Sequence, residues 1–334
     1  KSVQIIPLET HNKCLVGDPT QVELTSEFIF YLEYQANSGI RVFSKNGKYI
    51  RSIGTKGAGP HEYREILSMS LLPEQEKIFI IDWISKKTIE FNFKGKFIKE
   101  NKTPTRIGEI RFVSENHYYF SIPYKGFHLH SVNMDTEVTR MLIPHTSTYT
   151  GYLGDFNTQA DGSHFYSPRY HDSIYRIRGE KVELEYRFDF GPHYCSGTDY
   201  RNYTENFKRL DRNEPPGSMV LLGPFFDLGK YFHFSSAHVM NDEEYEHNDF
   251  LWSKKEQKLI CFKDNFDDIL FANSSLISVG PNNEWISTVQ PIDLLENLDK
   301  IRGNTQFEYS EEFIAQIQNL QEEDNPVIVM FTLK

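Results

Sequence analysis

At 334 residues the chain is long enough for two ordinary domains, but closed all-β architectures run past ~250 residues as one unit, so the domain count must come from internal repeats. A composition of 39% hydrophobic and 25% charged residues is globular and excludes a disordered chain, while an aromatic content of 14% favours pleated, half-buried surfaces. The net charge of −11 opposes phosphate backbones and anionic lipid, which excludes nucleic-acid binding through a general basic surface, and no apolar run reaches the ~18 to 20 residues that span a bilayer.

In chain order, the first predicted element is a strand, Val3-Gln4-Ile5-Ile6-Pro7-Leu8. Next comes a hairpin unit at residues 40–50, two alternating strands around Asn46-Gly47, a turn pair that tolerates positive φ. The unit recurs at residues 89–98, 129–139, 174–186 and 250–261, with starts roughly 40 to 50 residues apart except across one long insertion. That interval is the size of one four-stranded propeller blade, and runs such as Lys77-Ile78-Phe79-Ile80-Ile81 and His117-Tyr118-Tyr119-Phe120 supply the remaining strands. Apolar residues at helical spacing predict short helices at 199–211, 293–301 and 310–320, the last opened by Ser310 as N-cap with Glu311 and Glu312 in the first turn. The chain ends on the strand Pro326-Val327-Ile328-Val329-Met330-Phe331-Thr332-Leu333. Pairing it with the first strand would hide two sheet edges. The expected fold is all-β: one six-bladed β-propeller domain over residues 1–334, with four-stranded antiparallel blades, closure by the terminal strands and helical insertions in late blades.

The run Val42-Phe43, Gly47-Lys48-Tyr49-Ile50, Ile53-Gly54, Gly57, Gly59-Pro60 and Glu62-Tyr63, with Asp172-Ser173-Ile174-Tyr175-Arg176-Ile177 and Asn325-Pro326-Val327, resembles the six-bladed β-propeller family of Bacteroidetes, whose members are similar to NHL-repeat propellers. The resemblance covers essentially the whole chain and is sharpest at residues 40–63. It implies a secreted or lipid-anchored envelope protein and carries over no catalytic motif. A start at Lys1 rather than Met fits an upstream signal or lipid-anchor segment removed from the sequence.

Gly54-Thr55-Lys56-Gly57-Ala58-Gly59-Pro60 is Gly-rich like an anion-cradling loop, but the pattern GxxxxGK[ST] is missing and no helix follows, so these glycines are read as permitting positive φ in a connecting loop. His128-x-His130, His164 with His171, and His233 with His238 could each begin a metal site, yet no third ligand is identifiable and no metal or other cofactor is expected. Asp161-Gly162 and Asn241-Asp242-Glu243-Glu244 do not match calcium-loop spacing, and no G-x-S-x-G elbow occurs. Cys14, Cys195 and Cys261 are too few and too far apart for a disulfide framework; one bridge stays open, with buried free thiols the expected state.

Tyr and Arg clusters in connections between strands remain: Tyr63 with Arg64, Tyr124, and Arg169 with Tyr170 and His171. Aromatic faces stack on sugars or aromatic groups and Arg clamps carboxylates, so these six form the expected binding set. The function expected is a non-catalytic binding or scaffold propeller of the cell envelope, recognising a glycan, peptide or protein at the channel mouth. The alternative is a propeller lyase or hydrolase with metal or carboxylates at the axis, which would need several such side chains to converge.

Overall fold

The computed structural model describes residues 3–33, 39–103, 105, 107–124, 126–144, 154–168, 171–189, 219–239, 245–262, 269–272, 276–305, 307 and 309–333. The fold is a six-bladed β-propeller built of six four-stranded antiparallel sheets. Backbone contacts divide the chain into two compact units, Lys1–Lys102 with Asp264–Lys334, and Thr103–Lys263.

The first unit holds three sheets. One runs β2 (Gln21–Leu24), β3 (Phe28–Glu33), β4 (Gly39–Ser44) and β5 (Tyr49–Ile53); the next runs β6 (Ile66–Leu72), β7 (Lys77–Asp82), β8 (Lys87–Asn92) and β9 (Phe97–Lys102). The third is composite: β22 (Ser278–Val279), β23 (Trp285–Val289) and β24 (Val327–Phe331) are completed by β1 (Val3–Pro7). The expected closure is therefore present, with Val3 opposite Phe331 and Pro7 opposite Val327. In the second unit the sheets are β10 (Glu109–Ser114) to β13 (Val138–Pro144) through β11 (His117–Tyr124) and β12 (Phe127–Asn133); β14 (Gly154–Thr158), β15 (His164–Pro168), β16 (Ser173–Arg178) and β17 (Lys181–Arg187); and β18 (Met219–Asp227), β19 (Tyr231–Val239), β20 (Tyr245–Ser253) and β21 (Lys258–Phe262). The five predicted hairpins are the third and fourth strands of their sheets.

Strand periodicity explains the packing. Successive side chains point to opposite faces, so β3 sends Phe30 and Leu32 into one core cluster with Ile40, Val42, Met69 and Ile80, and Ile29 and Tyr31 into another with Ile6, Phe43 and Ile328. A strand covered on both faces reads as a continuous apolar run, while the outer strand β9 alternates between half-buried and exposed positions. In the second unit β15 divides in the same way, Tyr166 packing with Tyr119 and Leu129, and Phe165 with Phe225 and Phe250.

Neighbouring sheets within each unit are also joined by side chains that clamp the first strand of the next sheet. Gln21 on β2 accepts from Met69 N at 3.0 Å and donates to Met69 O at 2.8 Å. Glu109 and Arg111 on β10 do the same for Phe156, the carboxylate accepting from its N–H at 2.6 Å and the guanidinium donating to its carbonyl at 2.9 Å. Gln159, just after β14, accepts from Asp227 N at 3.1 Å. Backbone groups that face another sheet rather than a ladder partner thereby keep their hydrogen bonds.

Among the described residues the α-helices lie between β23 and β24. Instead of one helix over 293–301, α1 (Pro291–Glu296) and α2 (Leu298–Arg302) are separated at Asn297, whose side-chain amide donates to Asp293 O at 2.9 Å. A side chain that bonds the backbone locally competes with helix continuation. α3 (Glu311–Gln318) matches expectation, with Ser310 Oγ accepting from Phe313 N at 3.1 Å. The helix expected at 199–211 falls outside the described residues, as does Cys195. Cys14 is a buried free thiol as expected; Cys261 is also free but exposed, because β21 is an outer strand.

Candidate functional site

The expected binding residues fall in both units. Tyr63 and Arg64 are in the first, on the connection from β5 to β6. Tyr63 is buried in the core cluster; its N–H donates to Thr55 O and its carbonyl accepts from Gly57 N, so it orders the loop. Arg64 is exposed, with its backbone N–H donating to the buried carboxylate of Asp82 at 2.9 Å.

In the same loop the Gly-rich segment holds an anion of its own. Glu62 Oε2 accepts from Gly59 N at 2.7 Å, and a Cβ at Gly57 would lie 2.0 Å from that oxygen. Only Gly54 of the three glycines has positive φ; Gly57 and Gly59 are small because the carboxylate lies against them.

Tyr124, Arg169, Tyr170 and His171 belong to the second unit. Tyr124 closes β11 and pairs through its backbone with Phe127, the first residue of β12. Arg169 and Tyr170 lie outside the described residues, and His171 stands two residues before β16. The β11–β12 end at Tyr124 and Phe127 and the β15–β16 end at Pro168 and Ser173 lie at the same end of two adjacent sheets. Tyr166 from the middle of β15 joins them, its hydroxyl donating to His128 O at 3.4 Å and lying 3.2 Å from Ser121 Oγ.

The structure thus sets His128 beside His171, ring centroids 6.3 Å apart and nearly perpendicular, with Tyr175 6.4 Å beyond. His128 is buried, whereas the His171 side chain is 29% exposed, so His171 is the imidazole that solvent reaches. His171 Nδ1 lies 3.3 Å from Asp172 Oδ1, inside ion-pair distance but without hydrogen-bond geometry. Asp172 is held by the Ser173 hydroxyl at 2.6 Å and lies 3.6 Å from Arg187 Nε. Burial lowers the pKa of His171 below its ordinary value and outweighs the attraction of Asp172. His130, which a metal reading would pair with His128, instead bonds the carbonyls of Ile122 and Phe127 through Nε2 and stacks on Phe120. Its pKa is also lowered by burial, and burial raises the Tyr166 phenol.

Near neutral pH burial thus keeps His130, His171 and the Tyr166 phenol uncharged, so His171, the imidazole that solvent reaches, is suited to hydrogen bonding and aromatic contact with a neutral polar ligand. Among the described residues no three His, Cys, Asp or Glu side chains are grouped to hold a metal ion. Asp161 serves its turn, accepting from Ser163 and lying 3.6 Å from both Arg176 and Arg178. His164 lies with Arg111 rather than with His171, and His233 Nε2 is 3.2 Å from Asp249. The loop 241–244 and the His238 side chain lie outside the described parts. The sequence reading missed His128 and Tyr166 as site residues. The i, i+2 histidine spacing was the one signal for His128, and it pointed to a metal; Tyr166 had none.

A Bacteroides fragilis protein described as exported matches this fold with a TM-score of 0.76 and 15% identity, over 100% of this chain and 95% of the other. A member of the DUF4221 family from Bacteroides vulgatus matches with a TM-score of 0.58 and 10% identity, over 100% and 96%. No curated protein matches the sequence. The family model described as a domain of unknown function, DUF4934, matches residues 1–332.

Proposed function

The chain belongs to the DUF4934 family, and from that premise we propose that it is a non-catalytic binding propeller of the cell envelope, its 334 residues acting as one domain. The location draws support from the exported description of the Bacteroides fragilis protein that shares its fold. Among the described residues no helix is long and apolar enough to cross a membrane.

The observation that carries the binding role is the meeting of two sheet-end connections around His128 and His171. Rigid sheets fix the ends of connecting loops, so side chains there keep one geometry for a partner. The ligand class is a glycan or a polar peptide, met by aromatic edges and uncharged hydrogen-bonding groups rather than by a charge clamp.

The test is to probe an array of bacterial and host glycans and an array of short peptides with the purified protein and with His171→Ala. A ligand bound by the wild type and lost in the variant, with unchanged thermal unfolding, supports the site. Arrays that stay blank, or ligands indifferent to the substitution, overturn it.

A further inference from the structure

Each sheet ends in an outer strand whose far edge has no strand partner among the described residues. Such edges template pairing with other chains unless blunted, most simply by a charge within the strand. Four outer strands carry one at an interior position, Arg51 in β5, Lys99 and Glu100 in β9, Arg140 in β13, and Glu183 and Glu185 in β17, whereas the charge of β21 is its first residue, Lys258. β1 instead buries its Ile5 and Ile6.

β21 differs from all of these. After Lys258 it reads Leu-Ile-Cys-Phe, with Leu259 45% and Ile260 44% exposed on opposite faces and Cys261 exposed beside them. Among the described residues the charge sits at one end. Lys254 N donates to Lys230 O at 3.0 Å, which brings the turn before β19 against the turn before β21. Lys230, Lys255 and Lys258 are exposed there, with Glu256 as the exposed carboxylate of the turn. Lys254 itself is engaged, 2.5 Å from Asp227 and over the Phe232 ring. In a chain of net charge −11 this is a local cationic end on an apolar edge.

We propose that the outer edge of β21 docks an extended peptide segment of a partner protein as an added antiparallel strand. An antiparallel partner lays its C-terminal end beside Lys255 and Lys258, so the fitting segment is apolar and β-branched and ends in Asp or Glu. Main-chain hydrogen bonds supply affinity, and the end charge fixes polarity and register.

The experiment uses two fluorescein-labelled eight-residue peptides of alternating Val and Thr, one ending in two Glu and the other in two Lys, titrated into the full chain by fluorescence anisotropy. The Glu-ended peptide is expected to bind about tenfold more tightly than the Lys-ended one. Ile260→Lys, at an exposed position, should remove binding, and Lys255→Glu with Lys258→Glu should reverse the preference. Absence of binding by either peptide, or binding indifferent to Ile260→Lys in a protein of unchanged melting profile, overturns the proposal. So does sedimentation showing a dimer that Ile260→Lys dissociates, which would make the occupant a second copy.

Discussion

His164 is buried on β15, where burial first and then the Arg111 charge push its pKa down from 6.5 to about 3. A histidine whose folded value is depressed stabilises the fold fully above 6.5, because both states are then neutral. Below that the unfolded chain binds a proton that the folded chain refuses, so stability is lost as pH falls toward 3, at up to ~1.4 kcal/mol per pH unit for one such group. His130 and His171 are shifted in the same direction. The urea midpoint should therefore hold steady above pH 6.5 and fall below it, and His164→Gln should flatten the slope; an unchanged slope in that variant would assign the loss to other groups. Gly57 offers a steric test. Gly57→Ala drives a methyl into the Glu62 carboxylate and should cost ~1–3 kcal/mol, much of it recovered when Glu62→Ala is added. The sequence shows that these glycines matter but not why, since a glycine needed for φ and one needed for space look alike in one dimension.

Strands and hairpins were legible because their chemistry is local. Asn46-Gly47 announces its turn, and Gly47 indeed has φ of +81°. The clamps between sheets left no such trace, because Gln21 meets Met69 at a distance of 48 positions without any periodic signature. The same holds for the candidate site: His171 stood in a visible Tyr and Arg cluster, but its neighbour His128 comes from another sheet. The clamps can be tested singly. Gln21→Leu strands the Met69 N–H and carbonyl between two sheets and should destabilise by ~1–3 kcal/mol, with faster hydrogen exchange at the Met69 amide. Gln21→Glu keeps the acceptor for Met69 N and should fall between wild type and Leu. Equal loss in both variants would show that packing, not the hydrogen-bond pair, carries the effect.

For the whole chain, closure rests on residues that are more than 300 positions apart. Asn325 is buried, and its side chain accepts from Val16 N and donates to Glu9 O and Cys14 O, while its N–H donates to Thr10 Oγ1. The segment that follows β1 is thus tied to Asn325, two residues before β24, and the Gly47 turn leaves room for the Pro7 carbonyl only because it lacks a Cβ, which would lie 1.9 Å away. The terminal strand patterns made this closure legible, whereas the Asn325 tie was not, since a single polar residue before Pro326 looks like an ordinary turn. Asn325→Ala should cost several kcal/mol, at ~1–3 for each buried group left unsatisfied. Removing residues 1–8 should do something different in kind. It would bare one edge of β24, whose Val327, Ile328 and Val329 are fully buried, and such an edge recruits another strand. The truncated chain is expected to form oligomers in light scattering, and a synthetic peptide of residues 3–8 added in trans should return it to monomer by supplying the missing strand. If the truncated chain stays monomeric without the peptide, β24 does not depend on β1 to cover its edge, and the Asn325 tie must carry the closure by itself.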